Sequence, residues 1–315
     1  MHTNCFDYFA ALRIGSLDMS EFIVDTSDNC LMNCKYCGTN SSGKGDSFLS
    51  ANIVKLLLND VFNDDNKNVL FLGGGTFFCH PKWKDILLYN KTIKANVIID
   101  CPISKEVIEY VRNYPMNEYS YKISLSLWGV GKLHDNLSGR TFFNLADSFI
   151  DEVVKYQQVL RLSFVITKEL IEQQEFVVEF IKTLPKLSIV YFHRLMPSGR
   201  CTTNDLPVYD EVLKFCDEVK SKTYESCELL FHHTIYKKVC LAYQNRLFIN
   251  HDCKIYGCGW ITPKNIPIGQ IIEEKGSINY RSFYQRKDYP FSIEVIRSDT
   301  LSIHVKEKED CILVT

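Results

Sequence analysis

Short apolar runs alternate with stretches of helical periodicity through the first two thirds of the chain. In the helical stretches apolar residues recur every three or four positions, as at Leu49, Ile53 and Leu57. Strand-like runs separate them, at residues 22–24, 69–72, 95–99, 123–128, 160–166 and 187–192. This alternation predicts right-handed βαβ units and a parallel sheet with its site at the carboxyl ends of the strands. Six units are too few to close an eight-stranded barrel, so we expect an α/β fold, an open partial (βα)6 barrel.

The pattern changes near Tyr224, where helical periodicity weakens. Residues 246–256 predict a β-hairpin, with short strands on either side of a turn at residues 250–252. The chain is therefore expected to have three parts: an N-terminal extension over 1–20, the partial barrel over 21–222, and a small hairpin-and-helix domain over 223–315.

Composition excludes several classes of partner. The chain has 315 residues, 46% of them apolar, which is enough to bury a large core. A formal net charge of −2 gives no electrostatic footprint for nucleic acid or for an anionic membrane. No signal peptide and no apolar run long enough to span a membrane is apparent. Thirteen cysteines, an odd number in a chain without an export signal, indicate reduced thiols used as ligands and a cytoplasmic location.

Three cysteines stand together on a predicted loop directly after the first apolar strand. Cys30, Cys34 and Cys37 have CxxxCxxC spacing, so their thiolates can converge on one small inorganic group. Zinc is the alternative, but structural zinc sites have four ligands, typically in two pairs. No fourth cysteine lies within about the next forty residues. Three thiolates on a cubic iron–sulfur cluster would leave one iron open for a further ligand.

This loop, with the aromatic Tyr36 directly before Cys37, resembles the CxxxCxΦC cluster loop of radical S-adenosylmethionine (SAM) enzymes, where Φ is aromatic. The resemblance implies a [4Fe–4S] cluster held by Cys30, Cys34 and Cys37, with SAM bound to the open iron. It implies reductive cleavage of SAM to a 5′-deoxyadenosyl radical that abstracts a substrate hydrogen. An electron donor such as flavodoxin or ferredoxin is implied as a partner.

The run Gly73-Gly74-Gly75-Thr76 follows the second predicted strand. A glycine run there lets the backbone approach a ligand closely. In this position it resembles the GGE or GGGT motif of radical SAM enzymes, whose backbone contacts the amino group of SAM. The run has no glutamate, so we expect that contact from the backbone or from Thr76.

Two later segments resemble further SAM-binding motifs. Ser124 and Ser126 share one face of the fourth strand because strand side chains alternate; they resemble residues that meet the ribose and the methionine carboxylate. The alternative is that they face solvent or pack as small residues. Leu195 and Met196 precede a segment resembling the PxGR motif, and their backbone would lie along the adenine. Arg140 is either a carboxylate partner or an exposed surface residue.

A second set of cysteines brackets the predicted hairpin and resembles the twitch and SPASM extensions of radical SAM enzymes, which bind an auxiliary iron–sulfur cluster. Cys253 stands where that hairpin usually has glycine and is expected to be a spare thiol. Only one cysteine follows Cys258, which favours the shorter twitch type with one auxiliary cluster. The expected ligands are Cys240, Cys258 and Cys311.

Some assignments stay open at this point. Cys227, His232 and His233 are either extra ligands or structural residues, and the second cysteine set is alternatively a group of buried thiols. Cys201, near the expected barrel mouth, is a candidate hydrogen-atom donor.

The substrate is the least determined feature. Radical SAM enzymes with such extensions often modify ribosomally made peptides by crosslinking, oxidation or epimerisation, and others oxidise small molecules. Only about twenty residues precede the first strand, which leaves no room upstream for a fused peptide-recognition domain. We expect peptide modification first, with small-molecule dehydrogenation as the alternative. A zinc-stabilised binding module is the alternative of another class.

Overall fold

A computed structural model of the chain describes residues 21–62, 69–156, 159–236, 246–256, 267, 269–274, 277–282, 291–295, 303–307 and 310–314. The expected N-terminal extension lies outside these residues.

Seven consecutive strands, β1 to β7, lie side by side in the main sheet. Each pairs in parallel with the next, from β1 through β7. All six predicted strands are present, which confirms the parallel α/β prediction, and the seventh was not predicted. The strands are β1 Glu21–Ser27, β2 Val69–Gly74, β3 Val97–Cys101, β4 Tyr121–Leu127, β5 Arg161–Ile166, β6 Ile189–Arg194 and β7 Glu228–Phe231.

Helices connect these strands. Two of them begin at polar residues that accept a backbone hydrogen bond at the first turn: Ser104 accepts from Val107 and Thr167 accepts from Leu170, each at 3.1 Å. In the described part of the chain the helices are α1 Ala51–Phe62, α2 Trp83–Ile93, α3 Lys105–Asn113, α4 Met116–Tyr119, α5 Lys132–Ser138, α6 Ala146–Val154, α7 Lys168–Glu172, α8 Gln174–Thr183, α9 Tyr209–Thr223 and α10 His233–Tyr236. None of them combines the length and the hydropathy needed to cross a membrane.

The main core lies between the sheet and the helices. Along β4, β5 and β6 every second residue is buried on this side, and the residues between them are half-buried or exposed. Phe164 and Phe192 stack in this layer at 5.6 Å between ring centroids, and Phe192 stacks in turn on Phe231. Burying each such ring contributes about 2–3 kcal/mol. The opposite face of the sheet is left for polar side chains.

The C-terminal strands continue the same sheet beyond β1. β8 Arg246–Ile249 pairs in parallel with β1, and β9 Lys254–Tyr256 pairs antiparallel with β8, which confirms the predicted hairpin. β10 Gly269–Glu274 and β11 Ser277–Ser282 complete an eleven-stranded sheet. Because β8 runs parallel to β1, its turn reaches the edge of the sheet where the cysteine loop begins.

Three further strands form a separate antiparallel sheet: β12 Phe291–Val295, β13 Ile303–Glu307 and β14 Asp310–Val314.

Candidate functional site

The loop with Cys30, Cys34 and Cys37 leaves the carboxyl end of β1 and is folded by its own backbone hydrogen bonds. The Cys30 amide donates to the Ser42 carbonyl at 3.0 Å, and the Ser42 amide donates to the Asp28 carbonyl at 3.1 Å. The Asp28 carboxylate accepts from the Ser47 amide at 2.8 Å. The predicted loop is therefore folded back on itself by internal hydrogen bonds. Three other segments of the chain hold it in place.

The first of these segments is the glycine run at the end of β2. The Gly75 amide donates to the Ser27 carbonyl at 2.6 Å, and the Thr76 amide donates to the Asn29 carbonyl at 2.9 Å. A Cβ on Gly75 would lie 2.0 Å from the Asn29 carbonyl oxygen. Only glycine allows this approach, so no side chain fits at the third position of the run.

The second segment is the end of α5. The Asn33 amide donates to the Ser138 carbonyl at 3.0 Å, and the Lys35 amide donates to the Leu137 carbonyl at 2.7 Å. The Arg140 Nε atom donates to the Leu31 carbonyl at 3.1 Å. Arg140 is exposed, as the surface alternative expected, and its guanidinium also holds the loop backbone.

The third segment is the PxGR-like turn after β6. The Arg200 amide donates to the Cys37 carbonyl at 2.9 Å, and the Ser198 hydroxyl donates to the Gly38 carbonyl at 2.8 Å. Gly199 has a φ of 60°, and a Cβ there would lie 2.2 Å from the Cys37 oxygen. The Arg200 guanidinium also donates to the Asn33 side chain and to the Ser41 carbonyl. Sequence reasoning missed this clamp on the loop.

The thiols themselves are partly buried and close enough to affect one another. Burial, together with the neighbouring Cys30 and Cys37 thiols, raises the pKa of Cys34 to about 12. Burial likewise raises the pKa of Cys30, whereas Arg200 lowers the pKa of both groups. Without a bound cation the Cys30 and Cys34 thiols are neutral. A bound metal centre supplies the positive charge that turns such thiols into thiolates, so the donor set fits an iron–sulfur cluster.

Each thiol has a polar side-chain partner. The Cys30 Sγ lies 3.3 Å from the Thr76 Oγ1, and the Cys37 Sγ lies 3.4 Å from the Thr39 Oγ1. Cys34 is hydrogen-bonded by the Trp128 side chain at the end of β4. Within the part of the chain that the structure describes, no three Cys, His, Asp or Glu side chains are grouped so that they could hold one metal ion.

Tyr36, the predicted aromatic residue of the loop, is buried between the loop and α7. Its hydroxyl donates to the Glu169 carboxylate at 2.8 Å, and its ring lies 6.2 Å from the Trp128 ring. Lys35 also pairs with Glu169, at 3.0 Å. The aromatic residue therefore fixes the loop against the start of α7.

Sequence reasoning also missed a buried ion pair beside the glycine run. Asp25 of β1 is 2% exposed, and its Oδ2 lies 2.9 Å from the His251 Nδ1 in the β8–β9 turn. Its Oδ1 has no hydrogen-bond partner and takes the space beside Gly74, whose φ is 92°; a Cβ on Gly74 would lie 1.4 Å from it. Burial raises the pKa of Asp25, and Asp25 raises the pKa of His251. A charged residue inside an apolar strand was the available signal.

Ser124 and Ser126 lie on the polar face of β4, as predicted. Register pairs Ser124 with Asp100 on β3 and with Arg161 on β5. Burial raises the pKa of Asp100 to about 6, against the opposing effects of its hydrogen bond with Ser124 and of the Arg161 charge. Ser124 therefore already has a partner, and a row of ionic and polar groups crosses this face.

One step closer to the carboxyl ends, Ser126 is level with Ser163, and Ser163 is level with Tyr191. His193 follows on β6 with its ring 4.4 Å from the Tyr191 ring, and His232 lies 5.7 Å from His193. The structure therefore places His232 beside the β6 side chains, at the carboxyl ends of the parallel strands.

A cavity of about 580 Å³ opens at the opposite, amino-terminal edge of the sheet, where Lys94, Lys122 and Arg161 are among its lining residues. It lies away from the cysteine loop.

The structure gives fewer contacts for the remaining predicted residues. Leu195 is buried and Met196 is half-buried after β6, and the buried Cys201 thiol donates to the Thr202 carbonyl at 3.5 Å. Cys240 and Cys258 lie outside the described residues, and Cys311 is placed only by the backbone of β14. Cys79, which spacing did not distinguish, lies beside Thr76, and burial raises its pKa to about 11.

A three-cysteine loop follows the first strand of this parallel α/β sheet, and a glycine run follows the second. Residues 24–123, which include both features, match the family model of the Radical SAM superfamily. That superfamily uses a [4Fe–4S] cluster and SAM as cofactors. No curated protein matches the chain.

Among solved structures, the chain is similar to SuiB of Streptococcus suis bound to S-adenosylmethionine, with a TM-score of 0.60 and 14% identity over 80% of this chain and 63% of SuiB. The structure of SuiB bound to the precursor peptide SuiA has a TM-score of 0.60 and 14% identity, over 80% of this chain and 62% of SuiB. The structure of anSMEcpe with bound AdoMet and Cp18Cys peptide has a TM-score of 0.57 and 13% identity, over 79% of this chain and 76% of anSMEcpe. At these identities the likeness shows the fold, and the chain spans less than two thirds of the length of SuiB.

Proposed function

We propose that this protein is an enzyme that cleaves SAM reductively to a 5′-deoxyadenosyl radical, which abstracts a hydrogen atom from a substrate. One observation carries the proposal: three mutually close thiols stand on a single loop that the ends of β2, α5 and β6 hold in place. A loop fixed in this way is preorganised for a cluster, since little chain entropy remains to be lost on binding.

In this proposal Cys30, Cys34 and Cys37 bind the cluster, which when bound supplies the electron that breaks a carbon–sulfur bond of SAM. The three thiols must release their protons as they bind. Arg200 assists that release, because its charge lowers the pKa of Cys30 and Cys34.

SAM is proposed to lie along the carboxyl ends of the strands. The exposed backbone at Gly74 would receive its amino group, with Gly73, Gly75 and Thr76 shaping the turn. Its ribose and carboxylate would be met from β4, for which Ser126 is better placed than Ser124, because Ser124 is engaged by Asp100. The backbone at Leu195 and Met196 would lie along the adenine.

The substrate is proposed to be a ribosomally made peptide, changed by crosslinking, oxidation or epimerisation. Support comes from the fold likeness to SuiB, solved with the precursor peptide SuiA, and to anSMEcpe, solved with a peptide. The polar face that carries Arg161, Tyr191 and His193 suits a polar substrate. Dehydrogenation of a small molecule is the second candidate, which the same face also supports.

The C-terminal part from residue 223 is proposed to hold an auxiliary iron–sulfur cluster through Cys240, Cys258 and Cys311. The proposal includes a cytoplasmic location and an electron donor such as flavodoxin or ferredoxin. Without clusters, the same cysteines would serve a zinc-stabilised binding module.

The test is anaerobic reconstitution with iron and sulfide. The wild-type chain should bind about eight irons, and the triple variant C30A/C34A/C37A about four. Reduced wild-type protein with SAM should release 5′-deoxyadenosine, and the triple variant should release none. Tight zinc with no chromophore near about 400 nm and no SAM cleavage would instead establish the binding module.

The substrate is tested by mass spectrometry of a small peptide encoded beside this chain and co-expressed with it. Loss of two hydrogens would indicate a crosslink or an oxidation, and deuterium uptake from solvent without net mass change in ordinary water would indicate epimerisation. An unmodified peptide would favour the small-molecule reaction.

A further inference from the structure

The three thiols differ in the groups that contact their sulfur atoms, and two of those groups come from segments that follow β2 and β4, outside the cysteine loop. We propose that the Thr76 hydroxyl and the Trp128 indole N–H set the reduction potential of the cluster by donating hydrogen bonds to the Cys30 and Cys34 sulfurs. This inference rests on the proposed function, because it requires the cluster at Cys30, Cys34 and Cys37.

Thr76 is the donor in its hydrogen bond with Cys30, because its hydroxyl has one proton and a thiolate has none. Thr76 is fully buried, and its Oγ1 lies 3.3 Å from the Cys30 Sγ. The Leu31 amide donates to the same oxygen, also at 3.3 Å. A hydroxyl has one proton to give, and a thiolate ligand is the strongest acceptor beside it. Once Cys30 is a thiolate, the Thr76 proton points at its sulfur.

The neighbouring Cys79 thiol also contacts the Thr76 side chain. A thiol sulfur is a weak acceptor, so Cys79 competes poorly with a thiolate ligand for the single Thr76 proton.

Trp128 has only one polar atom, the indole N–H, so its hydrogen bond with Cys34 has a fixed direction. The ring is held in place, since it lies 6.2 Å from the Tyr36 ring and the Tyr36 hydroxyl is bound to Glu169 at 2.8 Å. Trp128 directly follows β4, so the sheet presents this donor to the loop.

Within the described part of the chain, the Cys37 sulfur has no donor directed at it alone. Its neighbour Thr39 has an Oγ1 that also lies 3.2 Å from the Gly74 carbonyl and 2.7 Å from the Ser41 hydroxyl. The single Thr39 proton is therefore shared among several acceptors, and we do not include Thr39 in the proposal.

A donor aimed at a ligand sulfur stabilises the reduced, more negative cluster more than the oxidised one. Hydrogen bonds to the sulfurs are one of the means by which proteins raise iron–sulfur potentials. Removing the hydroxyl or the indole N–H should therefore move the potential to more negative values and leave the thiol ligands in place.

The test is an EPR-monitored redox titration of reconstituted full-length protein. The relevant signal is the one that changes shape when SAM is added, which separates it from any auxiliary cluster. The variants are T76V, which keeps the shape and loses the hydroxyl, T76S, which keeps the hydroxyl, and W128F. The matched controls are T183V at the exposed C-terminal end of α8 and W83F, at a buried position that begins α2.

We expect T76V and W128F each to titrate at a more negative potential than the wild type, and the double variant at a lower potential than either. T76S and both controls should have the same reduction potential as the wild type. If T76V assembles less cluster, the assembled fraction still reports its potential, and W128F tests the second donor independently. Wild-type potentials for both T76V and W128F, or equal shifts for T76V and T76S, would overturn the inference. A wild-type protein that assembles no cluster would overturn the proposed function instead.

Discussion

Asp25 and His251 are 226 positions apart in the chain, yet their side chains meet at 2.9 Å between β1 and the β8–β9 turn. The contact joins the C-terminal hairpin to the strand from which the cysteine loop starts. The unpartnered Oδ1 of Asp25 lies against Gly74, so the pair also borders the glycine run. Through Asp25, the C-terminal hairpin therefore contacts the glycine run of the candidate SAM site.

Replacing His251 should destabilise the protein. H251A leaves the Asp25 carboxylate buried without its partner, which costs about 1–3 kcal/mol. The measurement is urea denaturation of the metal-free protein, for the wild type, H251A, D25N and the double variant. We expect the double variant to be less destabilised than the sum of the two single variants, because the pair acts as a unit. Additive effects would show that the two side chains are not coupled.

The same pair should make stability depend on pH. Asp25 raises the pKa of His251 above 6.5, with smaller effects in the same direction from Asp252 and Asp28. A raised pKa in the folded state means that the stabilisation is complete below pH 6.5 and is lost as the pH rises through the folded value. Burial also raises the pKa of Asp25 above 3.8, which likewise lowers stability as the pH rises.

The measurement for this dependence is the urea midpoint between about pH 6 and pH 9. The midpoint of the wild type should fall relative to that of H251Q, in which residue 251 has no titratable group. Parallel curves for the two proteins would exclude His251 as the source.

Gly75 should tolerate no side chain. G75A places a Cβ 2.0 Å from the Asn29 carbonyl oxygen, which displaces the backbone next to Cys30. We expect loss of most of the iron bound at the first cluster, measured as iron per chain after anaerobic reconstitution. The matched control is G43A, where a Cβ would make an ordinary contact of 3.5 Å with the Cys30 oxygen. Equal iron content in the two variants would contradict the role given to the glycine run.

Arg200 should affect how readily the cluster assembles. Its guanidinium contacts Asn33 and Ser41, and its charge lowers the pKa of Cys30 and Cys34. R200Q removes the charge, so deprotonation of the thiols becomes harder and reconstitution should require a higher pH. The measurement is the rate of chromophore formation against pH. R200K keeps a charge and should lie between the wild type and R200Q; identical profiles for all three proteins would remove Arg200 from this role.

Hydrophobic periodicity and residue spacing were enough to predict most of the strands in the main sheet. All six predicted strands form, the β8–β9 hairpin has the predicted strands, and the three-cysteine loop follows β1. These features depend on residues close in sequence, where side-chain alternation and turn chemistry act directly on the local backbone. β7 was missed because its four residues lie where periodicity weakens.

The sequence by itself determined the class of the sheet, the edge at which the candidate site lies and the thiols that stand there. Only the tertiary structure decided what surrounds those thiols: the Arg140 and Arg200 contacts with the loop, the Thr76 and Trp128 donors, and the pairing of Asp25 with His251. These partners are more than forty residues apart in the chain, and their side chains meet because parallel strands bring distant carboxyl ends to one edge. No local pattern encodes such meetings, since they depend on register, burial and the direction of each side chain.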